Sequence, residues 1–285
     1  MIVVTGATGT VGRYLVDELV EAGVKVCALS RDPERAGLPA GVQVVRAGDL
    51  PMCDVAAIFL NPVVVWGSGP AEFLRQAAWH GVRRVVTLSS SAVTEPPGTG
   101  PATGEPAPGG NPIGAHHREL ERAIEASGLE WTHLRPGAFA SNAAGWADQI
   151  RAGDVVRGPY ARAQQAPIHE ADIAAVAARA LLTDDLVGSA PVLTGPESLT
   201  LAEQVRLVGE AIGRPLRYEE IPPEAALERM VGGHLTAEIA DSLLRMFAES
   251  VDRPAALSPE TERITGRPGR TFAQWAGERG PALFG

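Results

Sequence analysis

The chain has 285 residues, 45% hydrophobic and 21% charged, a composition that suits a soluble globular protein with a sizeable core. Its formal net charge of -9 argues against a nucleic-acid partner, because affinity for phosphate backbones comes mainly from Lys and Arg. Cys27 and Cys53 are too few for a disulfide framework, and no apolar run reaches the roughly 18 residues of a membrane span. The expectation is a cytoplasmic protein, monomer or homodimer, that handles a small molecule away from membranes and nucleic acid.

The chain opens MIVVTGATGTVGRYLVDELV. Residues 2–5 form a short apolar run, a first strand, and Val11, Leu15, Val16, Leu19 and Val20 recur at helical spacing. Between them stand Gly6, Gly9 and Gly12. Gly6 permits a tight turn, Gly9 lets backbone approach a pyrophosphate, and Gly12 lets the helix pack closely on the strand. The helix N-terminal N–H groups and dipole then favour an anion. A second strand over 24–29 ends in Leu29-Ser30-Arg31-Asp32-Pro33. An acidic residue there would bind the ribose hydroxyls of NAD; Arg31 instead offers a guanidinium to a 2′-phosphate, with Arg35 assisting, so NADP(H) is the expected cofactor. The alternative is a solvated Arg31 paired with Asp32.

A third strand over 42–45 leads to Gly48-Asp49-Leu50, placed to edge the adenine. Only residues 47–54 precede the fourth strand at 55–60, too few for a crossover helix of about a dozen residues. A helix over 70–80 and a strand over 85–88 follow, the strand ending at Ser89 and Ser90. Residues 92–112, AVTEPPGTGPATGEPAPGGNP, carry no hydrophobic period and leave the C-terminal end of a central strand. They form either a substrate lid or a disordered surface insertion. A helix over 112–127 and a strand over 131–134 come next, closed by Arg135-Pro136-Gly137. Strands alternating with helices imply an α/β fold, a Rossmann-type doubly wound parallel sheet. Further on, helices are expected at 171–182 and 201–212, short strands at 191–194 and 216–221, and a mostly helical tail from 222. The expected division is a Rossmann domain over 1–150, with 166–195 packing back onto it, and a smaller, mostly helical substrate-side lobe over 196–285.

The combination T-G-A-T-G-T-V-G, S-R-D-P, S-S-S at Ser89 to Ser91, H-R-E-L-E-R-A-I-E-A-S-G-L-E-W-T-H-L-R-P-G-A-F and P-I-H-E-A-D-I-A-A-V-A resembles the short-chain dehydrogenase/reductase superfamily, in its atypical NmrA-like branch. The resemblance covers most of the chain. It implies a Rossmann core, NADP(H), and reduction of a small conjugated or carbonyl compound, although some members of the branch bind the cofactor only to sense redox state. It implies that Gly6, Ala7, Thr8, Gly9, Thr10 and Val11 hold the pyrophosphate, Arg31 the 2′-phosphate, and Pro136, Gly137, Ala138 and Phe139 the nicotinamide end. Asp49, Leu50, Asn61, Pro62 and Ser89 complete the candidate cofactor contacts.

Standard members of the superfamily use a Tyr-x-x-x-Lys pair, in which Tyr moves the proton and the ammonium lowers its pKa and holds the ribose. Here Ile113-Gly114-Ala115-His116-His117 puts Ile113 and His117 in those places. The single lysine, Lys25, leads into the second strand, and Tyr14, Tyr160 and Tyr218 precede no Lys. The catalytic candidates are therefore His117, to bond a ribose hydroxyl or relay a proton, and Ser89 and Ser90, to donate to a carbonyl. His116 faces elsewhere, His133 lies inside a strand, and His169 either reaches the cleft or caps the helix near Asp172. Asn142, Trp146 and Tyr160 are candidates for the substrate pocket, and no metal site is expected. The expected function is NADP(H)-dependent reduction of a small, fairly apolar carbonyl, enone or quinone-type compound, working by positioning and desolvation. A non-redox enzyme such as a cyclase or isomerase, or a non-catalytic redox sensor, are the alternatives.

Overall fold

The computed structural model describes residues 1–46, 49, 54–65, 69–94, 112–233 and 235–285. Its first half runs β1 (Ile2–Val4), α1 (Thr10–Glu21), β2 (Val26–Leu29), β3 (Gln43–Val45), β4 (Ala57–Leu60), α2 (Pro70–Trp79), β5 (Arg84–Leu88), α3 (Pro112–Glu125) and β6 (Glu130–Pro136). There follow α4 (Ala147–Ala152), β7 (Val155–Gly158), β8 (Gln164–Gln165), α5 (Glu170–Leu182) and β9 (Val192–Leu193). The chain closes with β10 (Leu199–Thr200), α6 (Leu201–Ile212), β11 (Arg217–Glu220), α7 (Pro223–Gly233), α8 (Ala237–Glu249), α9 (Glu260–Thr265) and α10 (Phe272–Phe284).

Seven strands pair in one parallel sheet of order β3-β2-β1-β4-β5-β6-β9. This is the doubly wound Rossmann arrangement, and the order reverses at β1 and β4, where such sheets open a crevice beyond the strand C-termini. The period-2 alternation of side chains divides the core. Val4, Ala28, Phe59, Val86 and Leu134 face α1 and α5 on one side. Val3, Cys27, Ile58, Leu60 and Val85 face α2 and α3 on the other. Both faces are covered, so the strands read as continuous apolar runs. Helix α5 is buried over nearly its whole length and is rich in alanine, so it lies close along α1.

The connection from β3 to β4 must leave the sheet edge and re-enter beside β1, and most of residues 47–54 lie outside the described residues. The same holds for 95–111, so the expected lid falls largely outside them.

A third core cluster joins Ala140, Ala143, Ile150 and Val156 to Val205, Val208, Leu216, Phe272, Trp275 and Phe284. It is built under two small ribbons, β7 with β11 and β8 with β10. The N-terminus of α5 ties this part to the sheet. The His169 Nδ1 atom accepts from Ala171 N at 3.0 Å and its Nε2 meets Glu278 Oε2 of α10 at 3.1 Å. Glu170 accepts from Ser141 N at 2.8 Å, and Asp172 holds both the backbone and the guanidinium of Arg270.

Candidate active site

The turn between β1 and α1 is shaped by what cannot fit in it. Gly6 has φ +64, and a Cβ there would fall 2.8 Å from Asn61 Nδ2. A Cβ on Gly12 would fall 2.1 Å from the Gly6 carbonyl oxygen and 2.7 Å from Ala7 Cα. Gly9 is the N-cap of α1 with no side-chain cap, and no acidic residue occupies the first turn. The opening amides and the positive end of the helix dipole are therefore left for a ligand anion. Thr5 Oγ1 donates to Phe59 O at 2.9 Å and accepts from Asn61 N at 2.6 Å, which pins the turn to the end of β4. Arg13 braces it from outside, Nε to Thr8 O at 3.2 Å and Nη1 to Gly37 O at 3.1 Å. Pro62 is buried at the start of the 3-10 turn Pro62–Val64, with Asn61 as its cap.

At the ends of β2 and β3, Arg31 is exposed and its guanidinium has no partner among the described residues. Asp32 lies 3.9 Å from Arg35, not against Arg31. Arg46 donates from Nη1 to the Arg31 carbonyl at 2.6 Å, a second arginine at this corner that sequence spacing does not single out. Asp49 is exposed beside it, its amide on Arg46 O at 3.0 Å; Gly48 and Leu50 lie outside the described residues.

Across the sheet, the turn Pro136 to Phe139 is held along one edge. Gly137 N donates to Leu193 O at 2.9 Å, Ile168 N to Ala138 O at 2.8 Å, and Ala140 N to Ile168 O at 2.9 Å. The end of β5 stands opposite: a Cβ built on Gly137 would lie 3.9 Å from Ser91 Oγ, which places Ser91, absent from the expected set, at the same mouth.

The two serines expected to donate differ. Ser89 is 4% exposed and gives its hydroxyl hydrogen to Glu121 Oε1 at 2.7 Å. In this arrangement its hydrogen is committed to Glu121, because a hydroxyl carries one hydrogen and a carboxylate can only accept. Ser90 Oγ accepts from Ala92 N at 3.2 Å and, among the described residues, gives its own hydrogen to no acceptor.

Glu121 is fully buried on α3 and takes four donors. Besides Ser89 these are Arg135 Nε at 2.9 Å, Arg135 Nη2 at 2.7 Å and Arg118 Nη1 at 3.2 Å. Burial pushes its pKa up, but the hydrogen bonds from Arg135 and Ser89 outweigh that and hold it below the usual carboxylate range. Sequence signals for this group exist: Glu121 lies in phase with His117 and Ile124 on the inner helix face, and Arg135 continues the Trp131, His133 row of β6.

His117 is half-buried beside this group, and its Nδ1 is enclosed without a partner among the described residues. Burial, reinforced by His116 and opposed by Glu121, lowers its pKa to about 4. Near neutral pH it is an uncharged hydrogen-bonding ring and not a stand-in for an ammonium. His133 is fully buried and stacked on Trp131 at 4.5 Å, inside the sheet. His169 caps α5. Asn142 is exposed on the 3-10 segment Ala140–Trp146, directly after Phe139, and Trp146 is half-buried against the third cluster. Tyr160 stands apart, in the turn after β7 with φ 48. An open groove of about 580 Å³ between α4, β7 and α7 shares no residue with the cradle or the β5 and β6 ends.

The glycine cradle that a Cβ would fill and the orphaned His117 nitrogen both fit a dinucleotide lying across the switch point. Among the described residues no group of three or more His, Cys, Asp or Glu could hold a metal, and no helix is long and apolar enough to cross a membrane. Fold and site together define a Rossmann-type protein built to bind a nicotinamide nucleotide.

The NAD(P)H-binding family matches residues 6–184, and the chain belongs to it. It is 36% identical to a (4-alkanoyl-5-oxo-2,5-dihydrofuran-3-yl)methyl phosphate reductase of Streptomyces griseus, over 99% of each chain. It is 33% identical to an NAD(P)H azoreductase of Xenophilus azovorans, over 97% of this chain and 96% of that one. The structure of an NADPH-dependent quinone oxidoreductase from Escherichia coli shares the fold, with a TM-score of 0.75 at 23% identity over 98% of this chain and 99% of the other.

Proposed function

We propose that the protein is an NADPH-dependent reductase of small, fairly apolar acceptors whose carbonyl is conjugated: enones, unsaturated lactones and quinones. The observation that carries this reading is a hydroxyl at Ser90, at the C-terminal end of β5, that gives its hydrogen to no acceptor among the described residues, with Ile113 and an uncharged His117 where a Tyr–Lys pair would stand. Bound NADPH supplies a hydride. Reduction of a saturated ketone builds a strongly basic alkoxide and calls for a strong proton donor at that oxygen. Addition at the carbon β to a conjugated carbonyl builds an enolate, a weaker base, which one neutral hydroxyl can hydrogen-bond while solvent completes the protonation. This chain's residues suit the second case.

Gly6 to Val11 would hold the pyrophosphate, Arg31 the 2′-phosphate, Asp49 the adenine edge, and Asn61, Pro62 and Pro136 to Phe139 the nicotinamide end. His117 would bond a ribose hydroxyl, and Asn142 and Trp146 would face the acceptor. Relatives support the acceptor class. The substrate name of the Streptomyces griseus reductase describes a 2,5-dihydrofuran ring with a 5-oxo and a 4-alkanoyl group, so its ring double bond is conjugated to both carbonyls.

The test is stopped-flow loss of NADPH absorbance against matched unsaturated and saturated carbonyl compounds, with deuteride-labelled NADPH to locate the transferred atom. Conjugated acceptors should react at least about a hundredfold faster, roughly 2.7 kcal/mol of barrier, with deuterium on the β-carbon. Deuterium on the carbonyl carbon, or equal rates for saturated ketones, would overturn the reading.

A further inference from the structure

The Glu121 cluster lies at the C-terminal edge of the sheet, where the site opens, and its four hydrogen bonds come from three separate elements. Ser89 belongs to the end of β5, Arg135 to the last turn of β6 before Pro136, and Arg118 to α3 itself. Arg118 carries the connection further, from Nη2 to Val93 O at 3.2 Å, into the 3-10 turn Ser91–Thr94 that contains Ser91. Two arginines on one carboxylate, with every carboxylate lone pair used, make a rigid group of net charge +1 in which the buried carboxylate is fully paired. The opposite end of the same strand has a matching device. Arg84, 1% exposed, binds Glu130 Oε2 at 2.9 and 2.7 Å, Asp184 and the Ala180 and Thr183 carbonyls. That second clamp sits at the closed end of the sheet, so the molecule contains its own comparison for a purely structural role.

We propose that Glu121 is a positioning residue for the nicotinamide half of the cofactor: it locks the end of β5 to the Arg135-Pro136-Gly137 corner and turns Ser89 into a fixed acceptor. The proposal rests on the cofactor placement given above. Two consequences follow from the geometry. The gap between the β5 end and the Pro136 to Phe139 turn is set from one side by the β9 and Ile168 hydrogen bonds and from the other by Glu121. Any ligand atom that reaches Ser89 Oγ must bring its own hydrogen, as a carboxamide N–H or a ribose hydroxyl does and a carbonyl does not. The adenosine half, on the placement above at Arg31 and the β2 and β3 ends, shares no residue with this group.

Binding of NADPH and of 2′,5′-ADP, which carries only the adenosine half, separates the two roles. Glu121→Gln should weaken NADPH about tenfold, about 1.4 kcal/mol, while 2′,5′-ADP stays within about twofold of the unmodified protein. In the ligand-free protein, amide exchange should rise at Gly137 to Ala140 and not in α1. Glu130→Gln, which loosens the Arg84 clamp, should lower the melting temperature with the NADPH to 2′,5′-ADP affinity ratio unchanged. Should Glu121→Gln fail to fold, Glu121→Met with Arg135→Met removes the buried charges together, an exchange that proteins often tolerate, and should show the same shift in ratio. Loss of both affinities in parallel, or an unchanged ratio, would overturn the positioning role. A failure of the cofactor placement itself would show separately, as no NADPH binding by the unmodified protein.

Discussion

Arg31 follows β2 exposed, with no carboxylate among the described residues against its guanidinium, while Arg46 grips its backbone carbonyl. A cation held ready at this corner is matched to a phosphate and has nothing to offer a pair of ribose hydroxyls that an aspartate would not do better. Arg31→Asp should therefore weaken NADPH by about 1.5–3 kcal/mol, roughly ten- to a hundredfold, and leave NADH nearly unchanged. Equal losses for both nucleotides in a fluorescence titration would remove Arg31 from the 2′-phosphate. The same scale shows where residue identity misleads. Ser89 and Ser90 are neighbours of one type, yet a buried carboxylate takes the hydrogen of the first and leaves that of the second.

Among the elements, α5 bears on the site without touching it. Its N-terminus presents His169, Glu170 and Asp172 to α10, to Ser141 and to Arg270, so one helix start fixes both the segment after Phe139 and the C-terminal tail. Because His169 Nδ1 accepts from Ala171 N, the hydrogen of the neutral ring lies on Nε2, facing Glu278. His169→Ala should cost about 0.5–2 kcal/mol in urea unfolding, the range for loss of a helix cap, and His169→Asn should recover part of it by capping without reaching Glu278. If Asn proves no better than Ala, the cap is not what His169 contributes. The sequence motif P-I-H-E-A-D marked this helix start, but the partners of its three polar residues come from 109 and 98 residues away or from the Ala140 segment, which periodicity does not report.

For the whole molecule, acid sensitivity follows from two desolvated imidazoles, His117 half-buried and His133 fully buried. His117 and His133 are both pushed down to about 4 from 6.5, chiefly by burial. Above pH 6.5 both rings are neutral in folded and unfolded chains alike. As pH falls from 6.5 to about 4, the unfolded chain takes up protons that the folded one refuses, so stability declines across that window. The slope approaches about 1.4 kcal/mol per pH unit for each ring. Urea unfolding measured from pH 7 down to pH 4.5 checks this, and His133→Phe, which keeps the stack on Trp131, should roughly halve the slope. A variant slope equal to that of the unmodified protein would assign the acid sensitivity elsewhere.

The sheet and its covering helices were legible in the sequence because strands buried on both faces must be continuously apolar, and amphipathic helices must repeat near 3.6 residues. The cradle was legible for a related reason: a left-handed turn packed against Asn61, and a helix start pressed on Gly6 and Ala7, admit only glycine at Gly6 and Gly12. Both are local rules written into consecutive residues. The order of the strands, the pairing of β9 with β6 and the meeting of α5 with α10 depend on contacts between distant segments, and so do the donors gathered on Glu121. A carboxylate on a helix reads from sequence as a solvated charge. Only the fold, by enclosing it and bringing Ser89, Arg118 and Arg135 within hydrogen-bond reach, makes it an ionised, fully satisfied group at the mouth of the site.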